Sequence, residues 1–185
     1  MTRFSDYEYR KQPGFDMNTF EGAYQAIPID PRAAEIPQAV AAYFGDEVYP
    51  GENILDESGK RVGHTRTLFT ETNAGGRAAF ALESVAAMDY IFSVQNVVVV
   101  HHSFCGTTTL TPELLIEEFH DHHHADISTM FDHDSLAIMD FEESLKYDIK
   151  LLRESPAVPK GVKLYGFFYE ISSGKLTEVV RDIPA

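Results

Sequence analysis

Asn96-Val97-Val98-Val99-Val100-His101-His102-Ser103-Phe104-Cys105-Gly106 is the stretch around which the rest of the chain arranges itself. Four consecutive valines predict a strand buried on both faces, as in the middle of a parallel sheet. Where the apolar run stops, a His-x-x-Cys-Gly begins. In an open α/β sheet the carboxyl end of a strand is where ligands bind. His102 and Cys105 are three residues apart across a turn, a spacing that can offer an imidazole nitrogen and a thiolate to one soft metal such as zinc. The alternative on residue types alone is a histidine at the edge of the core beside a buried thiol. Gly106 is expected to let the backbone turn sharply away. His101 points to the opposite face if the strand continues through it.

Working outward, residues 78–94 carry a helical pattern, with Leu82, Val85, Ala86 and Phe92 as expected buried positions. Before them, Asn73-Ala74-Gly75-Gly76-Arg77 breaks a short strand predicted over 65–70; its two glycines permit positive φ and close backbone approach. Strand, glycine turn, helix and valine strand make a βαβ unit, which would place Leu68 and Val98 on parallel strands. After the site, Thr111-Pro112-Glu113 provides an N-cap, a proline in the first turn and an acid. The helix should run through Phe119, and His120-Asp121-His122-His123-His124 suits a solvated loop better than a fixed metal site. Asp140-Phe141-Glu142-Glu143 is a capping pattern for a helix that buries Leu145, Ile149 and Leu152 and ends before Pro156. A strand at 162–171 then turns at Ser172-Ser173-Gly174 into a terminal hairpin.

The chain has 185 residues, 44% of them hydrophobic and 24% charged, enough for one sizeable core. Its formal net charge of −14 argues against nucleic-acid or anionic-membrane partners, which need basic surface. No apolar run approaches the roughly 20 residues of a membrane span. The N-terminus lacks the apolar stretch of a signal peptide, and a single cysteine forbids an internal disulfide, so a cytoplasmic location is expected. Residues 1–20, polar and aromatic with Pro13-Gly14, read as an arm, and 21–185 as a single domain. Such arms are commonly disordered or packed on a partner subunit. A short strand at 23–27 ends in the turn Pro28-Ile29-Asp30-Pro31-Arg32, where Asp30 and Arg32 stand near enough to pair. A helix follows over 32–44, restarted at Pro37, and 45–63 reads as a long loop.

In their order, these landmarks resemble the β-class carbonic anhydrases. The likeness runs from about Tyr24 to the C-terminus and is carried by Asn-Ala-Gly-Gly at 73–76, Val-Val-Val-Val-His-His-x-x-Cys-Gly at 97–106, and the tail from Ser144 to Leu176. The resemblance implies an α/β fold, a mainly parallel sheet flanked by helices with a C-terminal β-hairpin, assembled as a homodimer or a dimer of dimers. It implies zinc, held in the family by two cysteines and one histidine. The family's His-x-x-Cys pair matches His102 and Cys105. Its Cys-x-Asp-x-Arg motif aligns with Pro28-Ile29-Asp30-Pro31-Arg32, so a proline stands in place of the first cysteine. Thr72 replaces an arginine, Phe104 replaces an acid, and the segment between Arg32 and Asn73 is longer than usual.

Carried over residue by residue, the resemblance makes Asp30 and Arg32 catalytic, Asp30 orienting the attacking water and Arg32 holding Asp30 ionised. With Pro28 unable to bind metal, Asp30 is the expected third ligand beside His102 and Cys105. Gly75, Gly76, Phe104 and Gly106 are expected to line the substrate pocket. The implied activity is hydration or hydrolysis of carbon dioxide, or of a related small electrophile, by a metal-activated water. The other readings are a metal-free enzyme using Cys105, Asp30 and His102 on a larger small molecule, and an inactive binding or structural homologue.

Overall fold

The structure is a computed structural model that describes residues 3–16, 35–45, 49–50, 67–130 and 133–185. The expected strand at 23–27 and the turn that carries Pro28, Asp30 and Arg32 lie outside the described residues. Helix α1, Ile36–Phe44, has its proline in the first turn, where a missing N–H costs nothing. Two short strands follow, β1 (Tyr49–Pro50) and β2 (Thr67–Leu68), paired in parallel with each other. A 3-10 turn over Ala74–Gly76 leads through a second one, Ala78–Phe80, into helix α2, Leu82–Phe92. Strand β3, Asn96–His102, a 3-10 turn over Gly106–Thr109 and helix α3, Pro112–His123, come next. The short α4 (His133–Leu136), α5 (Phe141–Glu154), and strands β4 (Lys163–Glu170) and β5 (Lys175–Asp182) complete the chain.

The second sheet has the order β3-β4-β5, with β3 parallel and β5 antiparallel to β4. It is a mixed α/β sheet flanked by helices, with the C-terminal hairpin in place. Its centre is β4, not the valine strand: Leu164 through Tyr169 are all buried, while in β3 only Val99 and His101 are. Val97, Val98 and Val100 keep partial exposure because β3 has β4 as its one partner among the described residues. Leu68 accordingly sits beside Tyr49–Pro50 in the smaller sheet and not beside Val98.

The two faces of β4 are covered by different helices. Leu164 and Phe168 join Phe141, Leu145, Ile149 and Leu152 of α5 in the main core, and a Cβ at Gly166 would stand 3.4 Å from Ile149. On the other face, Tyr165 and Phe167 meet Phe44 and Tyr43 of α1, with ring centroids 5.2 and 4.7 Å apart. Helix α5 begins where its sequence says it should, because the Asp140 carboxylate accepts the Glu142 and Glu143 N–H groups at 2.9 and 3.0 Å.

Two helices depart from expectation. In α2 no residue is buried: Leu82 and Val85 touch the core at one edge, whereas Tyr90, Ile91 and Phe92 are 91%, 60% and 52% exposed. Helix α3 continues through His123, so the histidine run forms its last turn, capped by His124 in the left-handed conformation, and is solvated there. No helix among the described residues is long and apolar enough to cross a membrane.

The N-terminal segment packs on its own chain. Phe4 is buried with its ring 4.1 Å from that of Phe168, and Tyr7 lies 5.3 Å from the same ring. Phe4 therefore enters the core that α5 and β4 build, and Tyr7 packs against it.

Candidate functional site

Strand alternation sends the paired histidines to opposite faces. His101, level with Phe168, enters the α5 face; His102, level with Tyr169, goes to the other. His101 is fully buried and its Nε2–H donates to Asp148 Oδ2 at 3.1 Å. The same carboxylate accepts from Arg77 Nε at 3.0 and 3.2 Å, while the rest of the guanidinium donates to the carbonyls of Ala137 and, at 2.6 Å, Asp134. All three side chains have no exposure, so each charge depends on the others. Burial pushes the His101 pKa below its usual value, outweighing the pull of Asp148. His101 therefore braces the strand as a neutral donor.

His102 is half-buried, and its Nδ1–H donates to the Ser103 carbonyl at 2.9 Å, which leaves the lone pair on Nε2. Cys105, 6% exposed, faces this imidazole. Burial works against both charged forms, but the hydrogen bond and charge between the two groups prevail. The Cys105 pKa falls below the ordinary thiol value, helped by Thr107, and that of His102 rises.

The turn that follows Cys105 has an internal order that the sequence reading missed. Thr107 Oγ1 stands 3.2 Å from Cys105 Sγ, Thr108 Oγ1 donates to the Cys105 carbonyl at 2.7 Å, and Thr109 Oγ1 donates to the Gly106 carbonyl at 2.7 Å. Three successive buried threonines bond back to the Cys-Gly turn that precedes them. Three threonines running into a Thr-Pro helix start were the available signal. The sharp turn itself falls at Phe104, whose φ is +53°, and not at Gly106, which has no positive φ. Ser103 ties the end of β3 to β4, donating its N–H to the Tyr169 carbonyl at 2.9 Å and accepting the Ile171 N–H at 2.9 Å.

The glycines of Asn73-Ala-Gly-Gly are explained by close approach, Gly75 to this turn and Gly76 to the backbone of β3. Gly75 and Gly76 have φ of +71° and +65°; a Cβ on Gly75 would lie 2.8 Å from Thr107 Oγ1, and one on Gly76 2.8 Å from the Val100 carbonyl. Gly75 thereby touches the threonine that bonds the thiol. Phe104 is 41% exposed beside Cys105. Asp30 and Arg32 lie outside the described residues, as does Pro28.

An imidazole nitrogen and a thiol of lowered pKa are donor types that zinc takes, and here they stand side by side. They fit as part of a ligand set. Among the described residues no group of three or more His, Cys, Asp or Glu stands close enough to hold a metal.

Neither a family model nor a curated protein matches the chain. Solved structures do. A carbonic anhydrase from Streptococcus mutans is similar with a TM-score of 0.53 and 25% identity, covering 89% of this chain and 99% of that one. Carbonic anhydrase from Glaciozyma antarctica gives 0.51 and 27%, covering 85% and 98%. A tetrameric β-carbonic anhydrase from Sordaria macrospora is more distant, at 0.41 and 15%, covering 89% and 94%. The fold is that of the carbonic anhydrases of this class.

Proposed function

We propose that this protein is a carbonic-anhydrase-like lyase that hydrates or hydrolyses carbon dioxide, or a related small electrophile, at a rebuilt zinc site. The observation that carries the reading is the His102–Cys105 pair, preset as a lone-pair nitrogen beside an acidified thiol, on a fold shared with carbonic anhydrases. His102, Cys105 and Asp30 hold the metal; Asp30 is offered because it lies two residues beyond Pro28, which has no donor atom. Zinc in such a site supplies acidity to a water at neutral pH. Arg32 holds Asp30 ionised. Gly75, Gly76, Phe104 and Gly106 border the reacting volume, and Phe104 makes that border apolar where an acid would have made it charged. Carboxylate for thiolate weakens zinc binding, and an Asp30 engaged on metal cannot also orient water, so turnover on carbon dioxide is slow.

Elemental analysis of untagged protein, with Cys105→Ser, Asp30→Asn and Pro28→Cys beside it, tests this. Zinc is expected in the parent, lost in the first two variants and raised in Pro28→Cys, with carbon dioxide hydration rising in step. Parent protein with stoichiometric zinc and a hydration rate that Pro28→Cys leaves unimproved would overturn the ligand assignment. A metal-free enzyme is the second reading, favoured by the opposed shifts of the pair, the Cys105 thiol lowered and the His102 imidazole raised, as a base beside an activated thiol nucleophile requires. Activity on a larger substrate that survives chelation but not Cys105→Ala selects it.

Self-association belongs to the same proposal, as a homodimer or dimer of dimers in the cytoplasm. The exposed Tyr90, Ile91 and Phe92 of α2 supply an apolar surface for it. Light scattering on the parent and on Tyr90→Glu should show a multimer in the first and a smaller species in the second.

A further inference from the structure

Phe104 adopts a backbone conformation that L side chains rarely take, at the position immediately before Cys105. Such a residue stays there only if its surroundings hold it. Here the hold comes from far away in sequence. Phe104 N–H donates to the Tyr7 carbonyl at 2.9 Å, and its ring lies between those of Tyr7 and Tyr9, at 6.0 and 5.5 Å. Tyr9 N–H donates to Thr108 Oγ1 at 3.1 Å, and that same hydroxyl donates onward to the Cys105 carbonyl. Arg10 completes the clasp. Its guanidinium donates to the carbonyls of Thr108 at 3.1 Å, Leu110 at 3.2 Å, Ile138 at 3.0 Å and Met139. Glu8, buried between Arg10 and Lys11, balances the charge, with Lys11 Nζ at 2.7 Å and Arg10 Nη2 at 3.5 Å.

We propose that the N-terminal residues Tyr7 to Arg10, acting through Thr108, are positioning residues of the site, clamping the Phe104–Leu110 loop so that the Cys105 thiol faces His102. The consequence for metal rests on the proposed reading of that pair as zinc ligands; the clamp itself does not. With the clasp released, Phe104 relaxes to negative φ, the peptide planes on either side of it rotate, and the thiol swings away from the imidazole into solvent. Arg10 also ties this loop to the segment before α5 whose Ala137 carbonyl Arg77 holds, so the two arginines grip one connection from two sides.

The test uses full-length Arg10→Ala, Thr108→Val and Thr108→Ser. Thr108→Val keeps the shape and removes the hydroxyl that joins Tyr9 to Cys105; Thr108→Ser keeps the hydroxyl. In chelator-treated protein, Cys105 alkylation by iodoacetamide should quicken roughly tenfold in Arg10→Ala and Thr108→Val, as expected when a net hydrogen bond is withdrawn from a local opening. Thr108→Ser should stay near the parent rate. Amide exchange should rise over 103–110 and stay unchanged over α5. With cobalt(II) as the probe, the thiolate-to-metal absorption band should weaken in the same two variants and return in Thr108→Ser. Unchanged alkylation in both variants, or exchange that rises equally over α5, overturns the clamp. Faster alkylation in a parent series that shows no cobalt–thiolate band supports the clamp and removes the zinc reading instead.

Discussion

Replacing Asp148 by asparagine is the sharpest probe of the buried interior beside the site. The carboxylate lies 3.0 Å from Arg77 Nε and 3.1 Å from His101 Nε2, with no exposure on any of the three groups. At that separation and an effective dielectric of about 20, the Arg77 pair alone is worth about 5 kcal/mol of attraction. Asparagine offers one acceptor where two donors converge, and its amide N–H₂ must face one of them. Guanidinium is left buried on the Ala137 and Asp134 carbonyls alone. Removing one partner of such a pair costs about 3–5 kcal/mol. For a chain of this length that is a fall in Tm on the order of 10 °C. Urea titration followed by far-UV circular dichroism gives the value, and a cycle with Arg77→Met isolates the pair, whose coupling should reach about 2 kcal/mol. If Asp148→Asn stays within about 1 kcal/mol of the parent, the network does not bear the stability assigned to it.

Three further outcomes are expected. His101 is held below its usual pKa of about 6.5, so the unfolded chain binds more protons as pH falls through that value; stability is fully present above it and lost below. Urea midpoints should drop between neutral pH and pH ~5 in the parent and drop less in His101→Gln, since this removes the titrating group that faces Asp148 and, across that carboxylate, Arg77. Thr107→Val removes a bond that lowers the thiol pKa, so the pH profile of Cys105 alkylation in metal-free protein should move to higher pH. Gly76→Ala combines a positive φ with a Cβ 2.8 Å from backbone and should cost about 3 kcal/mol or more, against about 1 kcal/mol for Gly14→Ala, where φ is +77° but the space is open; equal urea midpoints for the two variants would contradict this.

Much of the fold was legible because its signals are local. The Asp140 cap, the proline in the first turn of α1, the Thr111-Pro112 start of α3 and the Ser-Ser-Gly hairpin each depend on a few adjacent residues. The His-x-x-Cys spacing and the alternation that parts His101 from His102 were equally readable, since strand period and turn length fix both. What failed to read was whatever depends on the other side of a surface. Four valines report that a strand is apolar but not what covers it, and β4, not β3, proved to be the enclosed strand. The apolar pattern of α2 predicted burial that the described neighbours provide only in part, at Leu82 and Val85 against the core and at Phe92 against Phe69. Arg77, His101 and Asp148 look like solvated charges in sequence, separated by 71 and 47 residues; burial becomes tolerable only when folding brings them together. Likewise, nothing in Tyr7-Glu8-Tyr9-Arg10 announces a partner 98 residues away at Thr108. Sequence alone indicated most of the elements and put His102 and Cys105 at the end of β3. Only the tertiary structure decided what holds those donors still, because a hydrogen bond or ion pair between distant segments exists only once the chain has closed the loop between them.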